Sequence, residues 1–313
     1  MANCNDLFQD FHQNIRILST KSKQMKKSKE ALRDKIRTYF KENHPEYNPK
    51  FYTQGSGKMK NDIRYKDETA DIDDGVYFER EPDVTPTTLQ QWVYDAVEGH
   101  TDGGQQHRKK CIRVIFKKDY NIDLPVLCKW DELLHPYIAV KNGKWDVEDD
   151  PKEFIEWFET RKDKDGQLLR IIKYLKAWGD HRKHSMPSGL CMTLLAEKNI
   201  VYDLRDDVCL KKTLENIKVS VDASWTCIMP TTPKDDLFAD YDQTFQKNFK
   251  TSLNDFIADA KNAIDTDDKS EASKLWRKNL SDRFPEYKKE ESNAKGTAAS
   301  LASIVGASKP WSE

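Results

Sequence analysis

Asp71-Ile72-Asp73-Asp74-Gly75-Val76-Tyr77-Phe78 sets two carboxylates on alternate positions ahead of an apolar run. On a strand, side chains alternate between faces, so Asp71 and Asp73 share one face and Ile72 takes the other. Two carboxylates about 4 Å apart, at an effective dielectric near 20, repel by roughly 4 kcal/mol. A divalent cation removes that penalty, and magnesium suits oxygen ligands that it shares with substrate phosphates. Acidic pairs are common in a chain with 53 Asp and Glu, so the value of this one depends on its neighbours.

Three neighbours matter. Gln54-Gly55-Ser56 follows a short apolar stretch at 51–54. Glycine lets the backbone approach a phosphate, and a serine hydroxyl with adjacent N–H groups binds phosphate oxygens, although such a turn is more often a linker. Ile122-Asp123-Leu124-Pro125-Val126 puts an acid inside an otherwise apolar strand. A buried carboxylate needs a partner, which is either a metal shared with Asp71 and Asp73 or a Lys or Arg. The third neighbour is a basic amphipathic helix, Arg170-Ile171-Ile172-Lys173-Tyr174-Leu175-Lys176-Ala177-Trp178, followed by Met186-Pro187-Ser188-Gly189 at the start of another helix. A helix start with serine is an anion site. Lys173 and Ser188 are therefore candidates for the outer phosphates, against the plainer readings of a surface lysine and an N-cap.

Outward from this core, Leu7, Phe11, Ile15, Leu18, Met25, Leu32, Ile36 and Tyr39 recur at helical spacing and predict one long helix over 6–40. Lys21, Lys23, Lys26, Lys27 and Lys29 make its middle basic, a solvated face or a contact surface for a ligand or partner. The pattern predicts strands at 51–54 and 71–78, a helix at 88–97, a hairpin of 111–116 with 122–130, and a second hairpin of 137–140 with 144–147 around Asn142-Gly143. Asp150-Pro151 is a capped helix start. Helices are expected over 151–163, 166–182, 188–199, 205–218, 240–264 and 268–282. The expected organisation is α+β: a catalytic core over 1–150, a helical lobe over 151–285, and a flexible tail over 286–313.

Lys and Arg number 52 against 53 acids, a formal net charge of −1. A binder of long nucleic acid by bulk charge would be basic. The six cysteines form no C-x-x-C pair, and neither a secretory signal nor a membrane-length apolar run is present. The expectation is a cytoplasmic protein with free thiols and no membrane contact. His181, His184 and Cys191 lack a fourth ligand at useful spacing and read as solvated histidines and a core thiol. Trp178, Tyr202 and Trp225 could stack a base but read first as core.

Taken together, Gln54-Gly55-Ser56 with Lys58-Met59, Asp71 to Phe78, Ile122 to Val126, and Ile172 to Trp178 followed by Pro187-Ser188-Gly189 resemble the polymerase-beta-like nucleotidyltransferases. Among these the chain is most similar to the cGAS/DncV-like nucleotidyltransferases (CD-NTases) of bacterial antiphage signalling, over roughly residues 5 to 200. The resemblance implies a polymerase-beta-like core with a mixed sheet, a long N-terminal spine helix and a C-terminal helical lobe. It implies that Asp71, Asp73 and Asp123 bind two Mg2+ ions, with Mn2+ able to substitute, and that Asp123 lies near the attacking hydroxyl. Gly55 and Ser56 would bind the donor triphosphate, and Lys173 and Ser188 its outer phosphates. The implied activity is cyclic oligonucleotide synthesis from nucleoside triphosphates, ATP among them, with release of pyrophosphate. A regulatory protein partner is a further implication. A linear oligoadenylate or RNA-tailing enzyme and an inactive nucleotide-binding module are the alternatives. Many members carry Gly-Thr where this chain reads Lys60-Asn61. The cysteine-histidine zinc insertion of the animal DNA sensor is missing, which argues against direct activation by DNA.

Overall fold

The computed structural model describes residues 1–117, 119–130 and 135–288. The chain opens with α1 (Asn5–Asn14) and α2 (Ser19–Asn43). It continues through β1 (Pro49–Gln54), the short α3 (Gly55–Met59), β2 (Asp71–Phe78), α4 (Pro86–Ala96), β3 (Gln105–His107), β4 (Cys111–Phe116), β5 (Tyr120–Cys128) and β6 (Tyr137–Ile138). Six helices follow: α5 (Pro151–Glu159), α6 (Gln167–Arg182), α7 (Gly189–Asn199), α8 (Asp206–Ala223), α9 (Gln243–Asp265) and α10 (Lys269–Leu280). The fold is α+β. A mixed sheet runs in the order β1-β2-β5-β4-β3, with β6 on β5, and β2 pairs parallel to β5 while the other pairs are antiparallel.

The single helix expected over 6–40 is two. Leu18 is extended (φ −59°, ψ 143°) and 54% exposed between them. The apolar spacing hid the break because Leu18 and Met25 stand seven apart, so the stripe keeps phase across it. The two halves serve different cores. Leu7, Phe8, Phe11 and Ile15 pack with the helical lobe, whereas Met25, Leu32, Ile36 and Phe40 pack on the sheet. Arg64 N–H donates to the Ile15 carbonyl (2.8 Å), satisfying a carbonyl that a continuous helix would use. The second hairpin also differs. Asn142 adopts φ +62° and Gly143 N–H closes the turn on the Val140 carbonyl (2.8 Å). Its two arms meet in a single antiparallel bridge, Tyr137 with Glu148, closed by Ile138 N–H to the Val147 carbonyl (2.9 Å) and Asp149 N–H to the Pro136 carbonyl (2.9 Å), while Tyr137 and Ile138 also pair with β5. Of the segment 286–313, Tyr287 N–H donates to Ser273 Oγ (3.0 Å), and residues 289–313 lie outside those described.

One sheet face is covered by α2 and α4 through Val76, Phe78, Val93, Ile122 and Val126. Asp74 points to that covered face and is fully buried. Arg33 of α2 donates to both of its carboxylate oxygens (2.7 and 2.6 Å), and Thr53 Oγ1 donates to it as well (3.1 Å). The helix is thereby bolted to β2 next to Asp73. Arg33→Met would strand a buried charge, and breaking such a pair costs several kcal/mol. Urea unfolding is expected to show a loss of about 3 kcal/mol, and an unchanged midpoint would show the pair to be idle.

Candidate active site

The opposite face of the sheet carries the acids. In the β1–β2 ladder Gln54 lies opposite Asp73, and in the parallel β2–β5 ladder Asp73 lies opposite Asp123. Partners in register share a face, so residues distant along the chain bring Asp71, Asp73 and Asp123 to one side. Asn121 Nδ2 donates to Asp71 Oδ1 (2.9 Å). Burial, then the charges of Asp123 and Asp71, push the Asp73 carboxyl up to about 7. The donor set is three carboxylates on one face with a penalty between them, which fits oxygen-ligated divalent cations.

Asp123 meets both of the partners that the sequence left open. It stands beside Asp73, and Arg113 on β4 holds it in a two-pronged ion pair (Nε to Oδ1 2.7 Å, Nη2 to Oδ2 2.6 Å). The same guanidinium lies 3.9 Å from Asp71 Oδ2. These carboxylates hold the Arg113 proton far more tightly than usual. Among the described residues, the group of ligand types whose atoms close to within 4.8 Å of one another is His135, Asp150 and Glu153, not the triad. Two of the three are also engaged elsewhere: Asp150 Oδ1 caps α5 and Glu153 Oε2 accepts from Thr232 N–H (2.9 Å).

A cavity of about 450 Å³ opens where the sheet meets the helical lobe, lined by Gly55, Ser56, Asp71 and Asp73 on one side and by Lys176, Pro187, Gly189 and Met229 on the other. Gly55 has φ +63°, and a Cβ there would fall 2.0 Å from Asp73 Oδ2. Neither the dihedral nor the space admits a side chain. Gly55→Ala must displace the Asp73 carboxylate, and a loss of about tenfold in kcat/KM for a nucleoside triphosphate is expected. Steady-state kinetics checks this, and an unimpaired variant would show that the close approach has no role.

Three of the residues read from sequence, Asp123, Lys173 and Ser188, are not among those that line the cavity. Lys173 does not line the cavity; its buried ammonium lies near Asp62 and Arg16, and burial holds it below its ordinary pKa. Lys176, one turn later, lines the cavity. Burial pushes the Lys176 amine down to about 7 despite Asp62 and Asp73. Asn61 fixes it from the chain position noted as a departure. The Lys176 ammonium donates to the Asn61 carbonyl (3.1 Å) and Oδ1 (2.9 Å), while Asn61 Nδ2 donates to Thr193 Oγ1 (3.3 Å). Both lysines sit on one helix that reads as basic and amphipathic, and without knowing where the sheet docks the spacing cannot choose between them. Ser188 is exposed at the rim and N-caps α7 by accepting from Cys191 N–H (3.2 Å), between Pro187 and Gly189, which line the cavity. Arg113 went unread: the predicted hairpin, with its loop over 117–121, sets Ile115 opposite Asp123, whereas the observed register pairs Phe116 with Tyr120 and Arg113 with Asp123. Asp149, pushed up to about 6 by burial, also lines the cavity. Trp178 and Trp225 pack among Phe249, Phe256 and Phe238, and Tyr202 is half exposed at the surface away from the cavity.

Residues 49–127 match the family described as cyclic GMP-AMP synthase DncV-like, nucleotidyltransferase domain. Beyond that match, the chain shares its fold with solved CD-NTase structures. It is similar to the Vibrio cholerae DncV cyclic AMP-GMP synthase (17% identity, TM-score 0.78, covering 90% of this chain and 97% of that one). It is similar to the Bradyrhizobium diazoefficiens CD-NTase CdnG solved with GTP (13%, 0.75, 90% and 96%). The Escherichia coli MS115-1 CdnC, solved in complex with a HORMA protein, matches at 14% and 0.71 over 90% and 98%.

Proposed function

We propose that the chain is a magnesium-dependent cyclic oligonucleotide synthase. It joins ribonucleoside triphosphates, ATP among them, with loss of pyrophosphate, into a cyclic di- or trinucleotide messenger of antiphage signalling in the cytoplasm. The observation that carries this reading is the register of Asp123 with Asp73 across parallel strands, Asp73 lining a cavity together with Gly55 and Ser56. Magnesium bound at Asp71, Asp73 and Asp123 supplies Lewis-acid charge for the attacking ribose hydroxyl and the departing pyrophosphate. Gly55 leaves room for the triphosphate against the backbone, and the Ser56 hydroxyl donates to it. The Lys176 ammonium, steadied by Asn61, neutralises the outer phosphates, with Ser188 at the rim, and Lys173 adds positive charge from behind. Positioning and charge neutralisation account for most of the rate gain in such transfers.

Mass spectrometry of products from a mixture of four ribonucleoside triphosphates tests this. Phosphatase-resistant cyclic products are expected. A phosphatase-sensitive ladder would indicate a linear oligoadenylate synthase, and a requirement for an RNA acceptor a tailing enzyme. Absence of pyrophosphate release with magnesium or manganese under every partner condition would leave an inactive nucleotide-binding module. A regulatory protein partner belongs to the same reading, supported by the complex in which the E. coli CdnC was solved; co-purification with the products of neighbouring genes checks it. The charge balance gives no support to activation by long nucleic acid. No helix among the described residues is long and apolar enough to cross a membrane.

A further inference from the structure

The antiparallel bridge of Tyr137 with Glu148 extends outward through Asp149 N–H to the Pro136 carbonyl (2.9 Å). One step further in that register, His135 comes level with Asp150. Asp150 is the N-cap of α5, and Glu153 stands in the first turn of the same helix. His135 Nδ1 lies 3.0 Å from Asp150 Oδ2 and 3.8 Å from Glu153 Oε2. One ligand atom from each of the three falls within 4.8 Å of the other two.

An acid at a cap with a Glu three residues on is ordinarily a capping box, in which the Glu reaches back to the N–H of the capping residue. Glu153 turns elsewhere: its Oε2 accepts from Thr232 N–H (2.9 Å) and faces the imidazole. Asp150 divides its oxygens. Oδ1 takes both capping bonds, from Lys152 N–H (3.2 Å) and Glu153 N–H (3.1 Å), and Oδ2 faces His135. A carboxylate oxygen has two lone pairs, so Glu153 Oε2 can keep Thr232 and still ligate a metal. Backbone bonds of this kind are what orient metal ligands.

We propose that His135, Asp150 and Glu153 form a zinc site, with Nδ1, Oδ2 and Oε2 as ligands and water in the fourth position. Zinc bonds of about 2.0–2.1 Å at tetrahedral angles set neighbouring ligand atoms about 3.3 Å apart, and the separations of 3.0 and 3.8 Å from Nδ1 bracket that spacing. The side chains of His135 and Glu153 are 42% and 38% exposed, so a hydrated cation enters from solvent. An imidazole among the ligands selects zinc over magnesium, and manganese stands lowest among the first-row divalent ions. The ion would fasten the chain before β6 to the start of α5 and, through Glu153, to Thr232. Asp149, Pro151, Phe154 and Met229 on these segments line the main cavity, so zinc there would stiffen one edge of it.

Calorimetric titration of the full chain with zinc chloride tests this, in wild type and in an Asp71→Asn/Asp73→Asn variant that removes the carboxylate triad as a rival site. One zinc per chain should persist in the double variant. Adding His135→Ala should weaken it by more than the roughly 10–100-fold that losing a supporting hydrogen bond costs. Glu153→Gln, which keeps an oxygen for Thr232 N–H, should weaken it as well. Cobalt(II) in place of zinc should show d–d bands without thiolate charge transfer, which separates the site from the cysteines. No zinc bound, zinc lost with the triad acids, affinity unmoved by His135→Ala and Glu153→Gln, or thiolate charge transfer would each overturn the proposal and leave the three side chains as a hydrogen-bonded helix cap. If His135→Ala does not fold, Glu153→Gln decides. Because the double variant reads zinc without the triad, the result is independent of the nucleotidyl transfer proposed above.

Discussion

Asparagine at both Asp71 and Asp73 is expected to lower pyrophosphate release from labelled nucleoside triphosphates by at least about 10⁴-fold, some 5 kcal/mol of transition-state stabilisation. The same change should make the metal-free protein more stable at neutral pH. Asp73 has a carboxyl pushed up to about 7 from 3.8, so its contribution favours the fold below the unfolded value and is lost as pH rises towards 7. Removing the charge removes that loss. The thermal midpoint of the variant is expected above that of wild type at pH 8, with the gap closing towards pH 4. Magnesium or manganese should then raise the midpoint of the wild type and leave the variant where it is. An inactive variant with a lowered midpoint would point to misfolding instead.

Lys176→Met is expected to lower kcat/KM by about 10³-fold, because a buried ammonium against phosphate oxygens is among the stronger charge-assisted contacts. Lys173→Met, one turn away and off the cavity wall, should stay within about tenfold, the effect of a charge acting from a distance. Steady-state kinetics on the pair decides between the two lysines, and the reverse order would return the phosphate contact to Lys173. The amine of Lys176, depressed to about 7 from 10.5, contributes stability at high pH that is lost as pH falls through 7. Wild type should accordingly lose stability relative to the Met variant as pH falls from about 10.5 to about 7, a separation that thermal melts over that range would reveal.

These two expectations share a physical cause. The cavity gathers like charges on the sheet and a desolvated amine on α6; Arg113 and Asn61 hold them in part, and a cation with a polyanion would compensate both. Sites built for binding keep such costs in the unliganded protein.

Alternation made the acid face legible in the sequence: Asp71 and Asp73 had to share a face on any strand, and an acid as buried as Asp123 had to find a partner. The glycine turn was read on other grounds, the close approach of backbone to a phosphate; that a side chain at Gly55 would meet Asp73 needed the fold. Helix period placed α6 and α7 nearly to the residue but could not say which lysine faces the sheet, a matter of docking between two cores. Arg113 and Asn61 depend on strand register and on a loop crossing to α6, neither of which has a period to read. The break at Leu18 escaped because an apolar stripe records phase and not continuity. The departure at Lys60-Asn61 was visible, whereas its consequence, a clamp on Lys176, needed the fold.

Anomalous diffraction from crystals grown with Mn2+ and a non-hydrolysable ATP analogue bears most directly on the metal site. The account predicts density bridging Asp71, Asp73 and Asp123, with Arg113 released from Asp123 and the triphosphate between Gly55 and Lys176. Density at His135, Asp150 and Glu153 with none at the triad, or nucleotide bound while Arg113 still holds Asp123 and no metal is present there, would contradict it.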